Sequence, residues 1–283
     1  MGNIHLLTGA VSSTGTLTRG SWETDYPVTN ILNSLPGRVA RTTDALVAST
    51  RFTLDLGSAQ SMQMFAFVNH NFTEASEIRI RVSDDSGGAA PSLDETLIVE
   101  KGTIDWGTLP WGVFPWSGVP ETFPGGFTTF YLHDTVVSGR YILIDATDTD
   151  NADGYWEFGS FLADVPFVPD INAAPGVEIG VVDNSRIDRA VGAGIYALEK
   201  PVRRRVSGSL AYLTEAEALG DIYSLQRNVG RGKGVLFVLD PEEANEMLMR
   251  RTVYGSLTSL GALNNHSSVD APWSWTFTLE ELL

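Results

Sequence analysis

The chain has 283 residues, 43% of them hydrophobic and 10% aromatic, enough to bury a core in two domains or in one large β domain. It carries a net charge of −16 and no cysteine, and it contains no run of about 18 apolar residues. These properties exclude disulfides, thiolate metal sites and a helical membrane span, and they lack the clustered positive charge with which nucleic-acid binders neutralise phosphate.

The acidity is uneven, with 20 acidic against 8 basic residues in 1–167 and 15 against 11 in 168–283, and it serves solubility. The start, MGNIHLLTGAVSSTG, lacks the basic opening and long apolar centre of a secretion signal. Leu6 stands where a myristoylation pattern needs Ser or Thr, so synthesis in a reducing, cytosolic compartment is expected.

In chain order, Asn3 to Val11 reads as an opening strand and Gly15 to Trp22 as a second, short one. Tyr26 to Arg41 is irregular, with room for a single helical turn between Pro27 and Pro36. Arg51, Thr53 and Asp55 then alternate with Phe52, Leu54 and Leu56, the period-two pattern of a half-buried strand, and Gly57-Ser58 breaks it. Met62 to Val68 is nearly all apolar, as in a central strand covered on both faces, and it ends in Asn69-His70-Asn71. Ile78 to Ser83 and Glu95 to Glu100 are further strands.

Ser86 to Phe130 is the oddest stretch, with a long aromatic loop over 101–130. Trp106, Trp111, Phe114, Trp116, Phe123 and Phe127 sit among Pro110, Pro115, Pro120 and Pro124, which rules out a regular helix or a central strand. A long aromatic loop needs a cover. Either it folds over its own domain or onto the next one, or it presents an aromatic surface to another subunit or to a glycan.

Tyr141 to Ala146 is a buried closing strand, and Asp148, Asp150 and Asp153 follow it. Acidic residues this dense suggest a Ca²⁺ loop, but counting from Asp148 puts Ala152 where an EF-type loop needs its third ligand and Asp153 where it needs glycine. A solvated turn is the preferred reading, and no metal or cofactor is expected. Val165 to Gly176, with three prolines, reads as a linker spanning 166–176.

Beyond it, Val177 to Val182, Ser185 to Arg189, Gly194 to Leu198 and Pro201 to Tyr212 carry β patterning. Thr214-Glu215-Ala216-Glu217 is a capping box, predicting a helix over 214–228 with Ala218, Leu219, Ile222, Tyr223 and Leu225 as its apolar stripe. Gly230, Gly232 and Gly234 form a turn into the strand Val235 to Leu239; the order helix, glycines, strand is the reverse of a P-loop. Glu242 to Met249 predicts a short second helix, Thr252 to Leu260 a strand, and Trp273 to Leu279 a final strand with Glu280 and Glu281 in solvent.

The fold class is therefore mainly β, with one packed helix. The strand ending in Asp55-Leu56-Gly57, the buried strand after it and EIRIRVS resemble the middle of a discoidin-like, or galactose-binding-like, jelly roll. Trp22 with Pro27, Asn30, Ile31 and Leu32, and GRYILIDA with YWEFGSFLAD, fit the same scheme, so the resemblance covers residues 1–165. It implies that His70 and Asn71 lie at a strand end where jelly rolls place ligand loops; the alternative is that they cap the strand. Residues 177–283 resemble the tail-tube-like β-sandwich of phage distal tail and baseplate proteins, in the SGSL strand, the helix opening Thr-x-x-Glu-Ala, the FVLDP strand end, VYGSL and the closing strand ending in Leu-Glu-Glu.

No G-x-S-x-G is present, and His5, His70, His133 and His266 are scattered, with no H-x-x-x-H pair for zinc. Paired carboxylates cannot be nominated where acids are so common, and no catalysis is expected. The resemblances imply a virion component made in the host bacterial cytoplasm: a tail-tip or baseplate subunit that forms a homo-oligomeric ring with other tail proteins, its jelly roll outward. The other expectation is a carbohydrate-binding module or adhesin, with Trp106, Trp111, Phe114, Trp116, Phe123, His70 and Asn71 as candidates for host-surface sugar.

Overall fold

The computed structural model describes residues 2–99, 126–174, 176–189, 195–242, 245–265 and 272–283. The chain is mainly β, with two seven-stranded antiparallel sheets, a separate two-stranded ribbon and little helix. The expected aromatic residues Trp106, Trp111, Phe114, Trp116 and Phe123 lie outside the described residues.

The strands are β1 (His5–Leu7), β2 (Thr16–Thr18), β3 (Ala40–Arg41), β4 (Arg51–His70), β5 (Glu77–Ser83), β6 (Leu93–Ile98), β7 (Phe127–Thr147) and β8 (Glu157–Asp164). They continue with β9 (Glu178–Val182), β10 (Arg186–Arg189), β11 (Ile195–Leu198), β12 (Arg203–Leu213), β13 (Gly234–Val238), β14 (Thr252–Leu257), β15 (Asn264–Asn265) and β16 (Trp273–Glu281). The first sheet runs β3-β8-β4-β7-β5-β6, with β2 against β4.

Two expected strands are one. Gly57-Ser58 does not end the first; β4 passes through it with Gly57 at φ 79, in the left-handed region open to glycine, and its register against β7 slips between Asp55 and Gln60. Further slips at Met62/Met64 and Val68/His70 bend β4 and β7, so the sheet wraps round a single core that holds Phe52 and Leu54 from one end of β4 and Phe65 and Phe67 from the other. The expected closing strand at Tyr141 is likewise the last part of the 21-residue β7, which begins inside the predicted aromatic loop, at Phe127.

The apolar run Met62 to Val68 is covered on both sides, as its composition demands. Phe65 and Phe67 face the first core, while Met64, Ala66 and Val68 press on Leu236, Val238 and Tyr254 of the second sheet. Gly234 is a consequence of this contact: a Cβ there would lie 2.1 Å from the Tyr254 ring.

The second sheet runs β1-β13-β14-β16-β12-β9, with β15 against β16. The opening strand is shorter than expected and pairs here, His5 opposite Val238, and not with the strands that follow it in sequence. The predicted linker is laid along the same sheet: Phe167 exchanges backbone hydrogen bonds with Leu6, and the Ala174 N–H donates to the Ser209 carbonyl.

One face of the second sheet is sealed by a helix that begins with the predicted capping box. The Glu217 N–H donates to Thr214 Oγ1 at 3.3 Å and the Thr214 N–H to Glu217 Oε2 at 2.7 Å. Burial opposes ionisation of Glu217, but this bond and one from the Asp170 N–H at 2.8 Å outweigh it and lower its pKa. The first turns, Ala216–Ile222, are wound as a π-helix before α1 (Tyr223–Val229). A second helix, α2 (Asn245–Arg251), sits close to the predicted place.

Glu281 corrects the sequence reading. It is buried, not in solvent, and its carboxylate holds the Arg204 side chain through Nε at 2.8 Å and Nη2 at 2.6 Å. No helix is long and apolar enough to cross a membrane among the described residues.

Candidate functional site

The structure brings together two sets of residues that the sequence kept 77 positions apart, the end of β4 at His70-Asn71 and the acidic turn after β7 that opens at Asp148. Asn69 takes φ 54, which asparagine tolerates better than most residues, and its Nδ2 donates to the Pro36 carbonyl at 2.8 Å. His70 beyond it turns inward and is only 4% exposed, its ring stacked on Phe72 at 4.2 Å and its Nε2 2.8 Å from Thr129 Oγ1. Asn71 spends its side chain on backbone: Nδ2 donates to the Tyr155 carbonyl at 3.1 Å, and Oδ1 accepts from the Glu157 N–H at 2.9 Å. Both residues therefore fasten the strand end.

Asp148 is fully buried. Its carboxylate accepts from the Thr73 hydroxyl, from the Thr73 N–H at 3.2 Å and from Asn151 Nδ2 at 3.1 Å. Asp153 accepts from Asn71 at 3.0 Å, and Asp150 is exposed in the turn. The three carboxylates do not converge, and no group of His, Asp and Glu suited to a metal ion occurs among the described residues.

What does reach the surface at this end was not legible in sequence. Arg41 of β3 stands directly opposite Glu157 of β8, and its Nε donates to Glu157 Oε2 at 2.7 Å. That hydrogen bond raises the guanidinium's pKa above its usual value. The guanidinium lies over the Tyr26 ring at 4.4 Å and over the Tyr155 ring at 4.3 Å. Tyr26, Arg41, Tyr155 and Glu157 thus form a half-exposed aromatic and charged cluster. Residues 26, 41, 155 and 157 share no local pattern; the β3–β8 register brings Arg41 to Glu157, and the Arg41 N–H donates to the Tyr26 carbonyl at 3.0 Å.

A second surface lies outside both seven-stranded sheets. Among the described residues β10 and β11 form an antiparallel ribbon that pairs with no other strand, with Ile187 opposite Ala197 and Asp188 opposite Tyr196. Opposed residues share a face, so Ile187 and Ile195 lie on one side and Tyr196 and Leu198 on the other. Their exposures are 61%, 66%, 70% and 64%. Nearby, β9 is an edge strand that shows Ile179 and Val181 to solvent.

No family model matches the chain, and no curated relative does. Solved structures similar to it include CBM32-1 from a family 31 glycoside hydrolase of Clostridium perfringens, at 12% identity and TM-score 0.36, covering 54% of this chain and 96% of that one. The family 32 CBM of C. perfringens NanJ in complex with galactose aligns at 14% identity and TM-score 0.37, over 56% of this chain and 98% of that one. A Streptococcus pneumoniae fucose binding module aligns at 11% identity and TM-score 0.37, over 54% and 93%. Likenesses at this level carry no argument about what this chain binds.

Proposed function

We propose that the chain is a non-catalytic structural subunit that works by self-association into a ring, in the setting its C-terminal resemblance implies, a phage tail tip or baseplate. The observation that carries this reading is the β10–β11 ribbon. A two-stranded ribbon alone is marginal in water, and this one has large apolar side chains on both faces. Its internal ion pair, Arg186 with Asp188, is exposed and adds little.

A neighbouring copy supplies what is missing. The ribbon of one copy and the open edge β9 of the next are different surfaces, so their contact is heterologous, and heterologous contacts close into rings or run into filaments. Wild type is expected to sediment as an oligomer, and Tyr196→Asp with Leu198→Asp as a single chain. Losing two buried apolar side chains weakens association by about 3 kcal/mol or more, roughly a hundredfold. Analytical ultracentrifugation reads the result; a monomeric wild type at micromolar concentration, or a variant that still assembles, overturns the proposal.

The second reading, recognition of host-surface carbohydrate, is supported by the Tyr26–Arg41–Tyr155–Glu157 cluster. Aromatic rings beside fixed hydrogen-bonding groups are the chemistry that sugar sites use. On a glycan array, wild type is expected to bind a host-envelope sugar and Tyr26→Ala to lose about tenfold, as for one ring contact. Trp111→Ala with Trp116→Ala, run in parallel, tests the aromatic loop. An empty array for wild type rejects this reading.

A further inference from the structure

The second sheet also carries a cleft that neither reading above uses. On the face away from the α1 helix, Arg205, Glu280 and Ser256 stand side by side across β12, β16 and β14, because residues opposed in antiparallel strands share a face. Beside them opens a cleft of about 370 Å³ lined by Arg203, Arg231, Ser256, Leu257, Thr258 and Glu280.

Positive charge is in surplus here, although the chain as a whole is at −16. Elsewhere Arg41, Arg79, Arg81, Arg140 and Arg204 are each closed on a carboxylate of the protein itself. In the cleft, Arg203 reaches Glu280 only at 4.0 Å, and Arg231 makes no ion pair or hydrogen bond among the described residues. Glu280 in turn accepts from Asn184 Nδ2 at 3.3 Å. The Ser256 hydroxyl is likewise uncommitted among the described residues, and Thr258 Oγ1 makes only a 3.3 Å bond to the Thr278 carbonyl.

The glycines around Arg231 have other duties. Gly230 ends α1 at φ 58, ψ −143, and Gly234 lies under the Tyr254 ring. No backbone cradle is built from them, and the anion-seeking groups of this turn are side chains.

We infer that the cleft binds a phosphate-type oxyanion, free or carried as a monoester on a small molecule. Two guanidiniums from separate elements offer more donors than the two oxygens of a carboxylate occupy. A phosphoryl group accepts from both forks and from Ser256. Glu280 faces the same space and opposes the ligand, which makes it the residue that sets the strength of binding.

Isothermal titration calorimetry on the full chain at low ionic strength, with inorganic phosphate, glucose 6-phosphate and succinate as separate probes, tests this. Both phosphates are expected to bind more tightly than succinate. Arg231→Ala should weaken them about tenfold, the loss of one charge-assisted hydrogen bond, with an unchanged melting curve because the side chain stands in a solvent-facing turn. Glu280→Gln should tighten them. Preference for the ester identifies the esterified form as ligand, and equal binding identifies the free ion. The inference is overturned by no saturable binding of either phosphate to wild type, by equal affinity for succinate, or by an Arg231→Ala variant that binds as wild type does.

Discussion

Trp156→Ala is expected to destabilise the protein by about 3–5 kcal/mol, the range for truncating a fully enclosed aromatic residue. Trp156 has no exposed surface, stacks on Phe72 at 4.1 Å with 17° between planes, and meets Phe158 edge-on at 5.8 Å and Phe67 at 6.3 Å. It holds together the end of β4, the chain just after it and the start of β8, so the cavity left behind cannot collapse without moving strand ends. Trp156→Phe should cost clearly less, since the lost indole N–H finds no acceptor among the described residues. Urea unfolding with an unchanged slope reads the difference. A loss below about 1 kcal/mol for the alanine variant would show that this aromatic cluster is not the keystone of the first core.

The second large effect belongs to the other sheet. Arg204→Ala is expected to cost about 3–5 kcal/mol because it strands a buried partner. Among the described residues Glu281 would keep its carboxylate with only the backbone N–H of residue 204 as a donor, at 2.8 Å, and the carbonyls of Met249 and Thr252 would each lose a donor now at 2.8 and 2.9 Å. Replacing both members with apolar residues, Arg204→Met with Glu281→Leu, should recover most of the loss, since the desolvation of an ion pair largely offsets its attraction. If the double variant unfolds as readily as Arg204→Ala, the pair gives more than mutual neutralisation. The carbonyls that Arg204 holds lie at the end of α2 and the start of β14, so the double variant also tests whether that corner needs a donor.

Much of the second half could be read locally. The capping box and the turn Gly230 to Gly234 each depend on residues within one or two turns of each other, and they formed where the spacing placed them. Of the expected stripe only Ala218, Ile222 and Leu225 are buried, joined by Val229, while Leu219 and Tyr223 face solvent because the π-wound first turns rotate the helix face. The alternation in Arg51 to Leu56 and the unbroken apolar run to Val68 were equally direct, because a strand's two faces are written into alternate residues. What failed was continuity. Gly57 looks like a terminator, yet in the middle of a long paired strand its positive φ only makes a bulge, since β7 continues opposite.

The candidate site was less legible. His70 and Asn71 stand at a strand end as expected, but the partners that fix their side chains, Thr129, Tyr155 and Glu157, come from far along the chain. Its sequence context predicts Asp148 in a solvated turn, because aspartate is normally solvated; Thr73 and Asn151 supply its hydrogen bonds and allow it to be buried. Glu281 departs from expectation for the same reason, its carboxylate being satisfied by Arg204.

By itself the sequence determined that this protein is a cysteine-free, acidic, mainly β chain with one capped helix, because composition and residue periodicity act over a few neighbours. The tertiary structure decided which charges are buried, that His5 to Leu7 joins the second sheet, that Met64, Ala66 and Val68 meet that sheet, and that Arg41 lies between two tyrosines. Those outcomes depend on strand register between segments far apart in sequence. Register is set by the joint packing of all the strands, and no single segment encodes it.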